Sequence, residues 1–269
     1  MKYAVITGAF GGMGYATAKK LALEGYTVFA LDKVVKEQEE NIFPIEIDVT
    51  NTKCIENAVN EVKKKTSKID AIIHFAGVYA LDSLIEISEQ EFKRVFEINV
   101  FGAYMINKTF MPLLSSGSKI LITTSELAVL DPLPFTGLYA ISKSALDKYA
   151  YSLKMELQLL DISVSVLRAG AVSTGMLNVS TTALDNFIEK TSVYKCNAAR
   201  FKSVVDSVES KCVSTDKIAN KVYKIISKKR PKFAYKINRN KLLLLLNALP
   251  QRLQFGIIKQ IIKSPKEEK

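Results

Sequence analysis

The stretch KYAVITGAFGGMG, residues 2–14, decides the fold. Its apolar run Lys2–Ile6 predicts a strand, the glycines that follow predict a tight turn, and helical periodicity begins at Met13. A glycine-rich turn between a strand and a helix lets the backbone approach a pyrophosphate, and the helix N-terminus supplies free N–H donors. The stretch therefore predicts the start of a nucleotide-binding domain. A tight turn that holds no ligand is the alternative.

Strands and helices continue to alternate up to about residue 230. Further apolar runs predict strands at Thr27–Leu31, Phe43–Ile47, Ile69–Phe75, Lys119–Thr124 and Ser163–Leu167, and helical patterns lie between them. This alternation predicts a parallel sheet covered by helices on both faces, since strands buried on both sides are almost continuously apolar. We expect one α/β domain of the doubly wound Rossmann type at residues 1–230, followed by an extension at residues 231–269.

The composition excludes several other classes of protein. Of the 269 residues, 48% are hydrophobic and 24% are charged, which allows a full core. The three cysteines lie far apart without the spacing of metal ligands, so neither a disulfide scaffold nor a zinc module is expected, and no metal site is predicted. The only histidine, His74, lies in an apolar run and is predicted to be a packed core residue. The opening residues lack the pattern of a signal peptide, which predicts a cytoplasmic protein.

The positive charge is concentrated at the C-terminus. Residues 221–269 contain 14 basic and two acidic residues, whereas residues 1–220 carry a net charge of −1. The segment Lys241–Lys263, KLLLLLNALPQRLQFGIIKQIIK, alternates basic and aliphatic residues, a pattern typical of a helix lying on an anionic membrane surface. It cannot span a bilayer, because its apolar residues are interrupted by Pro250, Gln251, Arg252 and Gln254. Packing on the body or on a second subunit is the alternative, and nucleic-acid binding is not expected because aromatic residues are scarce there.

Asp32 follows the second predicted strand, 18 residues after Gly14. A carboxylate at about this distance from the glycine turn accepts hydrogen bonds from the ribose hydroxyls and repels a 2′-phosphate. It therefore favours NAD(H), with NADP(H) as the alternative because the adjacent Lys33 partly offsets the repulsion.

Tyr139 and Lys143 lie four residues apart on the longest predicted helix and therefore share one face. A nearby ammonium stabilises a tyrosinate, so the spacing predicts a lowered pKa for Tyr139 and proton exchange near neutral pH. Ser125 ends the strand before this helix, where its hydroxyl is placed to hold a substrate oxygen. The same spacing also occurs by chance on ordinary helices.

Together these motifs resemble the short-chain dehydrogenase/reductase family over about residues 1–230. The turn TGAFGGMG matches the family's Thr-Gly-x-x-x-Gly-x-Gly fingerprint. The resemblance implies that Ser125, Tyr139 and Lys143 are catalytic and that Asn99 anchors a water of the proton relay. It also implies contacts to the cofactor from Thr7, Gly8, Phe10, Gly12, Met13, Gly14, Asp32, Asp48, Val49, Ala76, Gly77, Tyr139, Lys143, Val172 and Thr174.

The chain departs from the family pattern at three places. Phe75 replaces the asparagine of an Asn-Ala-Gly motif, which removes a structural hydrogen bond, and Ala169 replaces the proline of a Pro-Gly turn, which should loosen that turn. The segment from Ser125 to Tyr139 is one residue longer than expected. A bulge near residues 131–132 is predicted to absorb the difference, with Thr124 and Glu126 as alternatives to Ser125.

Residues 175–211 occupy the place where the family has its substrate lid. Several are apolar, so a lipophilic substrate is expected, with Ser125, Tyr139, Met176 and Leu177 as substrate-binding residues. The extension resembles those of retinol- or hydroxysteroid-type members. We therefore expect an NAD(P)-dependent oxidoreductase that interconverts a ketone and a secondary alcohol on a steroid- or retinoid-like substrate, with Tyr139 exchanging the proton.

Two other functions are left open by the sequence. One is a reductase of carrier-bound 3-oxoacyl groups, whose acidic carrier would dock on the basic residues 228–230. The other is a non-catalytic, membrane-surface sensor of NADH, for which the intact Tyr139, Lys143 and Asn99 would be unnecessary. A homodimer or homotetramer is expected by analogy with the family, and peripheral membrane contact through the extension is the open alternative for its location.

Overall fold

A parallel sheet of seven strands forms the centre of the computed structural model, within its described residues 1–173, 175–208 and 212–263. For residues 175–181 and 206–208 the description is limited to the backbone. The strands are β1 (Lys2–Thr7), β2 (Tyr26–Asp32), β3 (Ile42–Glu46), β4 (Ala71–His74), β5 (Lys119–Ser125), β6 (Ser163–Ala169) and β7 (Ala234–Ile237). Their order, β3-β2-β1-β4-β5-β6-β7, confirms the predicted Rossmann architecture.

Helices cover both faces of this sheet. They are α1 (Gly12–Leu23), α2 (Thr52–Lys63), α3 (Glu89–Phe96), α4 (Gly102–Phe110), α5 (Gly137–Leu157), α6 (Gly175–Lys190), α7 (Lys195–Val208), α8 (Thr215–Ile226), α9 (Lys241–Asn247) and α10 (Gln251–Ile262). Helices α1 and α8 pack on one face, and α2, α4 and α5 pack on the other.

Strand β1 shows why the strands are almost continuously apolar. Ala4 and Ile6 lie in the core on the α1 and α8 side, and Val5 between them lies in the core on the opposite side. Because successive side chains of a strand alternate between faces, a strand covered on both sides needs apolar residues at every position. The chain runs outward to β3 on one side of β1 and returns to β4 on the other. The strand order therefore reverses between β1 and β4, where open α/β sheets bind their ligands.

The sheet continues past residue 230, because β7 lies in the segment that the sequence assigned to the extension. This strand has four residues, and the side chain of Lys236 is exposed, so it lacks the apolar pattern of the inner strands. After β7, helices α9 and α10 pack against the domain, and Leu243 is buried there. None of the helices in the described part of the chain is both long enough and apolar enough to cross a bilayer.

Candidate active site

The glycine turn after β1 brings three pieces of backbone into close contact. Gly8 has a φ of 65°, and a Cβ on it would lie 2.6 Å from the amide nitrogen of Ala76. A Cβ on Gly14 would lie 2.0 Å from the carbonyl oxygen of Gly8. Helix α1 begins at Gly12 after Gly11, which has no side chain to cap it. The first turn of α1 therefore presents backbone donors that suit a pyrophosphate.

Substituting Gly14 by alanine is expected to push the turn away from α1, because the new methyl group would overlap the carbonyl of Gly8. We expect the Kd for NADH to rise by at least about tenfold, equivalent to roughly 1.4 kcal/mol, and overpacking to cost about 1–3 kcal/mol of unfolding free energy. Fluorescence titration and thermal melting measure the two effects. Gly256→Ala is the control, since a Cβ there meets nothing within 4 Å. An unchanged Kd in Gly14→Ala would contradict the predicted role of the turn.

The carboxylate of Asp32 lies at the end of β2 and faces the glycine turn. The amide of Phe10 donates to its Oδ2 at 2.8 Å, and the amide of Lys33 donates to its Oδ1 at 2.7 Å. The ammonium of Lys33 lies 2.9 Å from Oδ2 of Asp48. Lys33 is therefore engaged with Asp48, and the carboxylate of Asp32 is held in a fixed orientation beside the turn.

Asp48 and Val49 follow the end of β3, where Asp48 lies next to Lys33 at the end of β2. Thr50 donates to Asp48 from its hydroxyl at 2.7 Å and from its amide at 2.9 Å, and these bonds, together with Lys33, lower the pKa of Asp48 to about 2. Val49 packs against α4, where a Cβ on Gly102 would lie 2.9 Å from its Cγ2. Asp48 is consequently ionised at neutral pH.

The phenol of Tyr139 meets Ser125, as the sequence predicts. The two side chains are hydrogen-bonded, although burial outweighs this contact and raises the pKa of Tyr139 to about 12. The predicted lowering of this pKa is therefore wrong for the protein alone. The Nζ of Lys143 lies 5.7 Å from the centre of the Tyr139 ring, and the loss of hydration dominates. Tyr139 is protonated at neutral pH, the state in which a phenol donates a proton.

Lys143 is buried next to Tyr139 on α5. Its Nζ lies 3.5 Å from the carbonyl oxygen of Thr123, and burial lowers its pKa to about 8. A Cβ on Gly77 would lie 3.2 Å from this Nζ and 3.1 Å from Oδ1 of Asn99. The missing side chain at Gly77 thus leaves space beside both groups, which fits a ligand that approaches Lys143 and Asn99 along the end of β4.

Asn99 is held from several directions. It lies in a turn of π-helix, Glu97–Phe101, a distortion that is frequent at functional sites. Its Nδ2 donates to the carbonyl oxygen of Val78 and to Oγ of Ser142, each at 3.0 Å. Its Oδ1 accepts from the amide of Val78 at 2.8 Å. The side chain therefore joins the segment after β4 to α5.

Both alternatives to Ser125 have other partners. Thr124 donates to Oδ1 of Asp147 at 3.1 Å. Arg168 forms a bidentate ion pair with the same carboxylate, from Nε to Oδ1 at 3.0 Å and from Nη2 to Oδ2 at 2.7 Å. Glu126 accepts from the amide of Asn240 at 2.8 Å, and burial raises its pKa. The hydroxyl that meets Tyr139 is that of Ser125.

The three departures from the family pattern are accommodated locally. Phe75 is buried in the core, and the amide of Ala76 donates to Oγ1 of Thr7 at 3.4 Å. The amide of Gly170, after Ala169, donates to the carbonyl oxygen of Ile237 at 3.0 Å, so β7 holds this turn. Between Ser125 and Tyr139 the backbone passes through a left-handed conformation at Phe135, whose φ is 66°.

Two residues at the site were not predicted individually from the sequence. The ring of Tyr79 packs on that of Tyr139 with centroids 4.8 Å apart, and Ser142 binds Asn99. Tyr79 also belongs to an apolar cluster formed by residues of α6, α7 and α10 and of the loops after β4, β5 and α6. Its members are Tyr79, Leu81, Leu133, Phe135, Ala183, Leu184, Phe187, Ile188, Tyr194, Ala198, Phe201, Val205 and Ile262. The only signal for Tyr79 in the sequence is its place shortly after the fourth predicted strand.

The structure describes some of the remaining predicted residues and not others. Met13 lies in the first turn of α1, and Val172 is buried where its backbone pairs with Val213. Thr174 and the side chains of Met176 and Leu177 lie outside the described residues. His74 is a buried residue, as predicted: its Nε2 lies 2.8 Å from Oδ1 of Asn107, and burial lowers its pKa to about 4.

The structure combines a doubly wound sheet, a glycine turn after β1, an acidic residue at the end of β2, and a Ser-Tyr-Lys set near the carboxyl end of β5. This combination defines the class of dinucleotide-dependent oxidoreductases. The family model described as short chain dehydrogenase matches residues 2–185. The chain belongs to this family and is an NAD(P)-dependent oxidoreductase.

Similar proteins cover almost the whole chain. The 3-ketodihydrosphingosine reductase of Bacteroides thetaiotaomicron is 24% identical over 87% of this chain and 86% of its own length. The NADPH-dependent 3-dehydrocapnine reductase of Ornithobacterium rhinotracheale is 24% identical over 100% of both chains. The crystal structure of 3-ketoacyl-(acyl-carrier-protein) reductase from Brucella melitensis complexed with NADH has a TM-score of 0.71, with 21% identity over 88% of this chain and 96% of that chain. This last likeness establishes the fold.

Proposed function

We propose that the protein reduces a ketone to a secondary alcohol on a lipophilic substrate, and that Tyr139 donates the proton. One observation carries the proposal. The protonated phenol of Tyr139 is hydrogen-bonded to Ser125 and lies beside the buried side chain of Lys143. Tyr79 connects it to an apolar cluster. A proton donor, a cation next to it and an apolar wall are the groups that such a reduction needs.

The residues present fit a nicotinamide cofactor. The glycine turn and the first turn of α1 would hold the pyrophosphate, and Asp32 would accept from the ribose hydroxyls. The space beside Gly77 would admit the nicotinamide ribose next to Lys143 and Asn99. When bound, the reduced cofactor supplies the hydride that the carbonyl carbon accepts.

The side chains then complete the reduction at the substrate oxygen. Ser125 donates a hydrogen bond that orients the carbonyl, and Tyr139 gives its proton to the oxygen as negative charge develops there. The ammonium of Lys143 stabilises the tyrosinate left behind, which regains a proton from solvent. One hydride and one proton are thus added to the ketone, and the reverse sequence oxidises the alcohol.

An apolar substrate fits the lid better than a phosphorylated one. Leu81, Leu184, Phe187 and Phe201 are buried together near Tyr79. The two reductases named above act, by their names, on 3-ketodihydrosphingosine and 3-dehydrocapnine. These names support a lipid-like ketone, a class wider than the steroids and retinoids expected from the sequence.

We further propose that NADH is the preferred cofactor, because the carboxylate of Asp32 is fixed by the amides of Phe10 and Lys33 while the ammonium of Lys33 pairs with Asp48. Asp32→Ser is expected to weaken NADH binding roughly tenfold through loss of a charged hydrogen bond and to improve the use of NADPH. The ratio of kcat/KM for the two cofactors measures this change. Lys33→Ala is the companion variant and should favour NADH further. A ratio that does not move in Asp32→Ser would contradict the preference.

The reaction is tested by following NADH and NADPH consumption with a panel of steroid, retinoid, aliphatic, long-chain amino and acyl-thioester ketones. Turnover of lipophilic ketones that is lost in Tyr139→Phe supports the proposal. Turnover restricted to carrier-bound thioesters favours the carrier reductase instead, with exposed Lys228, Lys229 and Arg230 as the docking site. Tight NADH binding with no turnover would favour a sensor.

Assembly into a homodimer or homotetramer also stays a prediction.

A further inference from the structure

Helix α9 is tied to the segment that connects Ser125 to Tyr139. Oδ1 of Asn247 accepts from the amide of Asp131 at 2.6 Å. At the other end of α9, Oε2 of Glu126 accepts from the amide of Asn240 at 2.8 Å. The extension therefore lies directly against the loop that connects Ser125 to Tyr139.

Helix α10 is tied to the lid. Nδ2 of Asn197, on α7, donates to the carbonyl oxygen of Ile262 at 2.8 Å, and Arg200 donates to the carbonyl oxygen of Lys263. The side chain of Ile262 packs against the same apolar cluster that includes Phe201. The two helices of the extension thus cover one side of the active site, between the lid and the loop that connects Ser125 to Tyr139.

The outward surface of these helices is unusually apolar. On α9, Leu242 and Leu245 are 63% and 64% exposed and lie three residues apart, on one side of the helix. On α10, whose inward positions include buried Gln254, the exposed apolar residues are Leu253, Phe255, Ile257 and Ile261. Clustered large apolar side chains on a surface mark a site of contact with another apolar phase or molecule.

The segment that forms this surface carries only positively charged side chains. Residues 221–263 contain 12 lysines and arginines and no acidic residue. On α10, Arg252 and Lys259 are exposed, and the helical spacing puts them on a different side of the helix from Leu253, Ile257 and Ile261. An apolar stripe and a basic row on one helix suit an interfacial position on anionic lipid, where both kinds of side chain are satisfied.

A second copy of the chain fits this surface less well. A twofold dimer would place the surface against itself and would bring together the lysines and arginines of two extensions, which contain no acidic residue up to residue 263. Anionic headgroups supply the missing negative charge.

We propose that α9 and α10 form a docking surface for an anionic lipid bilayer. The surface places the lid side of the active site next to the bilayer, from which a lipophilic substrate would enter. That last link rests on the proposed function, whereas the docking itself does not.

Sedimentation of the full chain with vesicles tests the docking. We expect binding to vesicles of phosphatidylcholine mixed with phosphatidylserine, and weak binding to phosphatidylcholine alone. Lys259→Glu should lower the partition coefficient by at least roughly fivefold per charge removed, and Leu245→Ser by a comparable factor. The matched controls are Lys53→Glu and Leu23→Ser, which change exposed residues on α2 and α1.

Equal losses in the controls, or no preference for the anionic vesicles, would overturn the docking surface. So would a wild-type chain that ignores vesicles but forms a dimer that Leu245→Ser dissociates, as measured by light scattering. Because sedimentation needs no ketone, its result is independent of the reaction. Turnover of a water-soluble ketone should stay unchanged in Leu245→Ser and Lys259→Glu.

Discussion

Tyr139→Phe is expected to lower kcat for ketone reduction by about 10²–10⁴, the range typical of a lost general acid. The phenol is protonated and hydrogen-bonded to Ser125, and phenylalanine keeps the ring but lacks the hydroxyl group that donates the proton. The contact with Tyr79, whose ring centre lies 4.8 Å away, remains available to the new side chain. We therefore expect the variant to fold and to bind NADH. Stopped-flow or steady-state absorbance of NADH measures the rate, and NADH fluorescence measures binding.

Tyr149→Phe is the matched control for this prediction. Tyr149 lies on the same helix α5, and burial raises its pKa to about 12 as well, but its hydroxyl accepts from Nδ2 of Asn107. Its loss should leave kcat nearly unchanged. If Tyr139→Phe kept most of the wild-type rate, the proton would have to come from another donor, and the proposed mechanism would be wrong.

The inner strands of the sheet were predictable because burial on both faces leaves a simple pattern. Lys2–Ile6 and Lys119–Thr124 are almost continuously apolar, and both runs correspond to strands. Strand β7 was not predicted, since an edge position leaves Lys236 exposed and requires only four residues. A short edge strand is specified mainly by its partner, here β6, and sequence periodicity carries little of that information.

The site was predictable to the extent that local spacing fixes it. Tyr139 and Lys143 share a helix face at any i,i+4 spacing, and Asp32 follows a strand at a fixed distance from the glycine turn. The direction in which the pKa of Tyr139 shifts was not predictable, because it depends on whether the effect of burial outweighs the effect of the nearby Lys143 side chain. Tyr79 lies in a loop without periodicity, so its contact with Tyr139 appears only in three dimensions.

Ketone reduction is expected to slow as the pH rises through about 8. Burial lowers the pKa of Lys143 to about 8, so its side chain is an ammonium below that pH and a neutral amine above it. Tyr139 keeps its proton over this range, since its pKa is about 12. What is lost above pH 8 is therefore the positive charge that stabilises the tyrosinate formed during proton donation. The kcat for reduction, measured under saturating NADH across this range, reports the change.

Two substitutions separate this charge effect from other causes. Lys143→Met removes the cation at every pH and should lower kcat by about 10²–10³, the cost typical of losing one electrostatic stabiliser, with little dependence on pH near 8. Lys143→Arg keeps the charge, because a guanidinium stays protonated in proteins, and should move the alkaline fall to higher pH. Lys119→Arg, at the far end of β5, is the control: burial also lowers the pKa of Lys119, yet the pH profile should not move. A fall near pH 8 that persists unchanged in Lys143→Arg would assign the titration to another group and remove Lys143 from the proton transfer.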